Sequence, residues 1–197
     1  MTDTLIEIGG GVSTDKPRRL FKTMLLFPPE WVPTAPYLAL PSLTAVLRSF
    51  GHQVVQKDVN IEMYDWFFSD TFLIWVKLRM DQQRRGLNER AARNELTELE
   101  RDRLNCLIAQ DAVDVMELAE QALDAKSIVR GEEFYDAEKL EWALNTFRDV
   151  MKFISAAYFP ASLVFYPMES NLGYRSGVSR EVLAFIEDET VNVYRDV

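Results

Sequence analysis

The sequence contains one cysteine and one histidine among its 197 residues. Cys106 alone cannot form an internal disulfide, and a single thiolate excludes any cysteine-rich metal site. His52 alone excludes a metal centre built from several histidines, and it excludes catalytic designs that need two. We therefore predict no metal site and assign no catalytic residue.

A basic patch is also missing. The chain carries 22 Lys and Arg against 31 Asp and Glu, which gives a net charge of −9. The two signs are interleaved along the sequence. Proteins that bind nucleic acid usually neutralise phosphates with clustered basic residues. The sequence therefore predicts that nucleic acid is not a partner.

No apolar run is long enough to span a membrane. The most apolar stretch, Phe67 to Leu78, is interrupted by Asp70 and Lys77. The first residues lack the charged-then-apolar order of a signal peptide. We interpret residues 1–20 as a disordered leader, and we expect a cytoplasmic protein with no membrane partner.

The proline-rich region after the leader predicts a strand, a helix and a second strand within residues 21–62. The apolar run Lys22 to Phe27 stops at two prolines and has the length of a buried strand. Gly51 suits the left-handed position after a helix, and Gln53 to Val59 is the second strand candidate. The helix is indicated by apolar residues at three- and four-residue steps: Leu40, Leu43, Val46, Leu47 and Phe50. This order is typical of a βαβ unit, and ligands bind at the carboxyl ends of strands in the sheets built from such units.

The rest of the chain, residues 63–197, is predicted to be mostly helical, with an incomplete C-terminus. Aromatic residues between Tyr64 and Trp75 fall at helical spacing. They fit either a hydrophobic substrate cavity or a core between helices, and the core is the favoured interpretation. Cys106 is interpreted as a small buried side chain of a helix.

The N-terminal region resembles the start of cobalamin (B12)-binding radical-SAM proteins. The similarity covers Lys22 to Asp65, and a looser likeness to a helical insertion follows it. The positions that carry it are Pro28-Pro29, Leu43 to Leu47, Gly51-His52, Val54, Asp58 and Asn60. The resemblance implies an α/β fold, a partial Rossmann-like (flavodoxin-like) B12-binding half-domain with a large helical insertion, mostly helical by residue count.

The same resemblance implies the cofactors. Cobalamin would bind base-off without a protein histidine, because His52 lies at the helix-to-strand turn, away from the ligand edge. S-adenosylmethionine and a [4Fe–4S] cluster belong to a downstream domain with a Cys-x-x-x-Cys-x-x-Cys motif. This chain lacks that motif. It is therefore expected to be inactive alone, with a radical-SAM domain in a longer or separate chain as its partner.

Cofactor contacts are expected in the loop after the first strand and at the end of the second. The alternative for the loop is a rigid connection without a ligand, and the alternative for the second strand end is a helix cap. The candidate cofactor-binding residues are Pro28, Pro29, Glu30, Trp31, Pro33, Thr34, Pro36, Tyr37, Asp58 and Asn60.

A second hypothesis comes from another functional class. The charged helices and the missing catalytic residues are typical of a non-catalytic helical interaction module. A third, nucleotide-binding hypothesis is disfavoured, because no glycine-rich phosphate loop follows the first strand.

Overall fold

The computed structural model describes residues 21–27, 38–163, 169–170, 179–188 and 192–196. The protein is mostly helical and contains a small parallel two-stranded sheet, which confirms the predicted α/β class at that level. The described residues fall into two compact units. The first holds residues 21–26 and 38–57, and the second holds Phe27 and the residues from Asp58 onward.

The first unit is a strand, a helix and a strand. Its elements are β1 (Lys22–Phe27, whose last residue belongs to the second unit), α1 (Ala39–Ser49) and β2 (Gln53–Asp58). Gly51 has a φ of 84°, so the predicted left-handed residue after the helix is confirmed. Pro41 lies in the first turn of α1, where no hydrogen bond is lost. The sequence predicts that the second strand ends at Val59. In the structure it ends at Asp58, because Val59 already belongs to the next helix.

Side chains of the first unit connect α1 to β2. The amide Nε2 of Gln56 donates to the buried Thr44 hydroxyl at 2.5 Å. The guanidinium of Arg48 donates to the Val54 carbonyl at 3.1 Å. Even so, apolar side chains of both strands remain exposed: Met24 is 60%, Leu26 57% and Val55 59% exposed.

The second unit is built from helices. Its elements are α2 (Val59–Phe67), α3 (Asp70–Ala92), α4 (Glu98–Ala109), α5 (Val115–Arg130), a 3-10 helix (Glu132–Tyr135), α6 (Ala137–Ala157), β3 (Ala161–Ser162), β4 (Glu169–Ser170), α7 (Ser179–Glu187) and a second 3-10 helix (Val193–Asp196). Strands β3 and β4 pair antiparallel. No helix in these described ranges is both long enough and apolar enough to cross a membrane.

Helix starts in this unit follow from polar residues in the sequence. Asp136 accepts hydrogen bonds from the backbone N–H groups of Glu138 and Lys139 and so caps α6. Thr97 and Glu100 form a reciprocal capping box at the start of α4. Such caps satisfy backbone donors that have no partner within the helix.

Aromatic rings form much of the core of the helical unit. Phe67 and Phe72 are at most 1% exposed, and their ring centroids lie 5.3 Å apart. Phe68, the residue that follows α2, stacks on Phe147 of α6, with centroids 4.5 Å apart and planes 7° from parallel. The interpretation of the aromatic run as core is confirmed for these residues, whereas Trp66 at 39% and Trp75 at 37% stay partly exposed.

Helices α5 and α6 form a hairpin with the most extensive contact between any two elements of the unit. Ala119, Ala122 and Ala125 of α5 are fully or nearly fully buried. Gly131 follows α5, and a Cβ at that position would lie 2.9 Å from the Ser127 carbonyl oxygen. Glycine therefore lets the chain turn tightly into the 3-10 helix before α6.

Candidate functional site

The predicted cofactor loop, residues 28–37, lies outside the described residues. Its eight candidate residues therefore remain predictions from the sequence. They are Pro28, Pro29, Glu30, Trp31, Pro33, Thr34, Pro36 and Tyr37. Of the predicted cofactor-binding residues, only Asp58 and Asn60 have a described position.

Asp58 ends β2 and caps α2. One carboxylate oxygen of Asp58, Oδ1, accepts a hydrogen bond from the Ile61 N–H at 3.0 Å. Asn60 lies in the first turn of α2 and is only 2% exposed. The capping interpretation of Asp58 is confirmed, and contact of Asp58 or Asn60 with a cofactor stays a prediction.

His52 lies in the connection between α1 and β2. Its Nδ1 accepts a hydrogen bond from the Phe21 backbone N–H at 3.2 Å, and its ring lies 5.8 Å from the Phe21 ring. The next residue, Gln53, donates its N–H to the Phe21 carbonyl at 3.2 Å. His52 thus holds the starts of the two strands together, in agreement with the prediction of a turn histidine.

A cavity of about 600 Å³ lies within the helical unit. Its walls come from α2, α5, the first 3-10 helix and α6, and most of the lining side chains are apolar. The lining residues are Ile61, Tyr64, Asp65, Phe68, Lys126, Val129, Arg130, Phe134, Leu140, Leu144 and Phe147. Tyr64 and Phe68 belong to the aromatic run. Part of that run therefore lines a cavity and also packs in the core.

The cavity contains one carboxylate and two cations. The Nη2 of Arg130 lies 2.6 Å and 2.7 Å from the two carboxylate oxygens of Asp65. The ammonium of Lys126 lies 3.2 Å from Asp65 Oδ1 and donates to the Asp65 backbone carbonyl at 3.3 Å. The cluster therefore joins α2 to α5 and carries one net positive charge.

The ion cluster also changes the titration of Asp65. Burial acts to raise the pKa of Asp65, but hydrogen bonds and charge attraction from Arg130 and Lys126 outweigh it. The net pKa is therefore lowered from its ordinary value of 3.8. Since the folded pKa is the lower one, Asp65 stabilises the fold above its unfolded pKa, and this stabilisation is lost as the pH falls through the folded value.

We expect the Asp65→Asn variant to be less stable than the parent chain at neutral pH, and the difference to shrink as the pH falls below 3.8. The effect will be small, because the Asp65 side chain is 39% exposed and salt screens such pairs. Urea denaturation of both proteins at a series of pH values measures the gap. If the difference in free energy of unfolding between the two proteins stays the same from neutral pH to below 3.8, the charge of Asp65 does not contribute to stability.

A cavity lined by the aromatic run is only the less favoured interpretation of the sequence, and the charged side of the cavity is not predicted at all. Asp65 and Arg130 are 65 residues apart in the chain, and no local pattern links them. The available signal was the pair Lys126 and Arg130, four residues apart on the helix and hence on one face. The four-residue spacing shows that the two cations are neighbours on α5, but it does not show that α2 packs against them.

The described residues contain neither a metal-ligand group nor an activated cysteine. Within the described ranges, no three His, Cys, Asp or Glu side chains form a group that could hold a metal ion. Cys106 of α4 is half-buried, and burial, followed by the nearby Asp102 charge, raises the pKa of its thiol. A raised thiol pKa disfavours the reactive thiolate. Cys106 therefore lies on a helix as predicted, but it is half-buried rather than buried.

Comparison of the chain with protein-family models, with curated proteins and with solved structures finds no match. Its function therefore has to be inferred from its own residues and their geometry.

Proposed function

We propose that residues 21–62 form the first βαβ unit of a cobalamin-binding domain, and that the chain is the N-terminal region of a B12-dependent radical-SAM enzyme. The proposal rests on the sequence motifs from Pro28 to Asn60 and on the β1–α1–β2 order with parallel strands. S-adenosylmethionine and the [4Fe–4S] cluster would belong to a radical-SAM domain in a longer or separate chain. The proposal includes a cytoplasmic location.

The main structural support is the uncovered apolar surface of the small sheet. Met24, Leu26 and Val55 are all more than half exposed. Parallel sheets are normally covered on both faces by other elements, and two strands alone make an unstable sheet. The exposed strands of the first unit are thus those expected for part of a larger parallel sheet, as a cobalamin-binding domain requires.

The described residues offer one group that fits a cofactor at the carboxyl end of the strands. Asp58 is only half-buried, and its Oδ1 caps α2. Its Oδ2 accepts no hydrogen bond from the described residues, so that oxygen can accept one from an amide group at a cofactor edge. Asn60 is less well placed because it is buried.

The proline loop would form the remaining contacts. Prolines limit the unbound conformations of a loop and so lower the entropy lost on binding, and Trp31 and Tyr37 would offer apolar area to the corrin. When bound, cobalamin would supply methyl transfer or radical chemistry. The role of this chain would be to bind and orient it.

Titration with hydroxocobalamin tests the proposal. We expect the corrin absorption bands to shift on binding, and the Trp31→Ala and Asp58→Ala variants to bind more weakly. Asp136→Ala is a matched control for Asp58→Ala: it also removes a helix-capping aspartate, at a cost of about 1 kcal/mol, but on the helical unit. Its cobalamin binding should equal that of the parent chain. A folded protein that continues this chain through the remaining strands of the domain, yet leaves the corrin spectrum unchanged, overturns the proposal.

A non-catalytic helical interaction module is the second candidate. The observation that favours it is the independent core of the helical unit, with Phe67, Phe72 and Ile154 almost fully buried. This candidate requires cooperative unfolding of the chain together with no response to hydroxocobalamin. The absence of a cooperative melt would exclude it.

A further inference from the structure

We propose that the helical unit binds a straight-chain fatty carboxylate, with the alkyl chain in the 600 Å³ cavity and the carboxylate on Arg130 and Lys126. The residues of this site differ from those of the proposed cobalamin contacts, which are in residues 28–37 and at the end of β2. Three properties of the cavity carry the inference: its size and walls, its net charge, and the hydrogen-bond donors left open on its cations.

The size and walls of the cavity fit an alkyl chain. Small-molecule sites are typically concavities of about 300–1,000 Å³ with mostly apolar linings and a few polar groups. Here Phe68 and Phe147 form a stacked aromatic wall, and Leu140 and Leu144 of α6 add aliphatic surface. Ile61 and Phe134 are more than one-third exposed, so apolar side chains of this site remain in contact with water until a ligand covers them.

The charge at the cavity selects an anion. Its lining contains Lys126 and Arg130 but only one acid, Asp65, in a chain whose overall charge is −9. A local excess of positive charge in such a chain favours an anionic head group over a cationic one. A second recess of about 290 Å³ contains Asp124 and Glu133 among its lining residues, which makes it unsuitable for an anion.

The cations retain donors for a second carboxylate. Arg130 uses only Nη2 on Asp65, and its Nη1 and Nε make no hydrogen bond with any other described residue. A guanidinium presents five N–H donors in a planar fork that matches a carboxylate. A ligand carboxylate can therefore bind Arg130 while the ion pair between Arg130 of α5 and Asp65 of α2 stays in place.

Isothermal titration with decanoate and with decan-1-ol tests the site, because the two ligands share an alkyl chain and differ in the charge of the head group. We expect decanoate to bind at least ten times more tightly than decan-1-ol. We expect Leu144→Trp, which fills the cavity, to abolish the binding of both. Leu140→Trp repeats this test in case Leu144→Trp fails to fold.

Charge variants separate recognition of the head group from a structural effect. Arg130→Gln should lower the affinity for decanoate about tenfold and leave the affinity for decan-1-ol unchanged. Asp65→Asn should raise decanoate affinity, because it removes the carboxylate that competes for the cations. A purely structural role for the cluster predicts weaker binding in both variants. Arg93→Gln is the matched control: Arg93 is 58% exposed and paired with Glu95, whereas Arg130 is 56% exposed and paired with Asp65.

Besides weaker decanoate binding in both charge variants, three outcomes overturn the proposal. If neither ligand binds the parent chain, the cavity holds no fatty carboxylate. Equal affinity for decanoate and decan-1-ol would show an apolar site without recognition of the head group. Decanoate binding that survives both tryptophan variants would place the ligand elsewhere on the protein.

Discussion

Replacement of Phe72 by alanine is expected to lower the free energy of unfolding of the helical unit by about 3–5 kcal/mol, the usual cost of removing a buried phenylalanine ring. Phe72 is 1% exposed, and its ring lies within 6 Å of the rings of Trp66, Phe67 and Trp75. Removing it leaves a void among these rings, which the surrounding side chains fill only in part. Urea denaturation followed by far-UV circular dichroism measures the loss.

Tyr135→Ala is the control for this prediction. Tyr135 is 89% exposed, so the same kind of truncation removes little buried area, and the urea midpoint should barely change. Phe72→Leu retains part of the volume and should fall between the parent chain and Phe72→Ala. An alanine variant as stable as the parent chain would mean that the aromatic cluster does not form the core of this unit.

Replacement of Arg103 by alanine is expected to cost about 1.5–3 kcal/mol, the range for hydrogen bonds that involve a charged group. The guanidinium of Arg103 on α4 donates to the Phe159 carbonyl from Nε at 3.0 Å and from Nη2 at 2.6 Å. Burial lowers the pKa of Arg103, and the charge of Asp188 opposes that change. Truncation leaves the Phe159 carbonyl, in the turn after α6, without these two donors.

Arg101 supplies the control because it is an exposed arginine two residues away on the same helix. Arg101→Ala should change the unfolding midpoint by no more than a typical surface substitution, about 0.5 kcal/mol. Arg103→Lys should recover only part of the loss, because an ammonium cannot place two fixed donors on one carbonyl. If Arg103→Ala and Arg101→Ala have the same effect, the bond between α4 and the turn after α6 contributes little.

Local features of this fold could be predicted from the sequence because they depend on neighbouring residues. Asp136 marks the start of α6, because its carboxylate accepts hydrogen bonds from backbone N–H groups of the first turn. Gly51 marks the end of α1, because glycine adopts the left-handed conformation there without strain. The second strand is one residue shorter than predicted, because it ends before Val59. There the capping carboxylate of Asp58 ends β2 and starts α2, although a valine favours a strand.

The charged side of the cavity could not be predicted in this way. Helical spacing shows which residues share a face, but it does not show which helices pack together. Asp65 on α2 meets Lys126 and Arg130 on α5 only because the hairpin of α5 and α6 packs in one particular position. The volume enclosed by these helices depends in turn on side chains such as Phe147, which stacks on Phe68 from α6.

The alanines buried along α5 have a consequence for how the sequence can change over evolution. Ala119, Ala122 and Ala125 are at most 2% exposed and belong to the packed core, so a larger side chain at any of them would force the helices apart. Gly131 must also stay small, because a Cβ at that position would lie too close to the Ser127 carbonyl oxygen. Descendants of this sequence can exchange most of their charged surface, but they should retain small residues at these four positions for as long as the hairpin is kept.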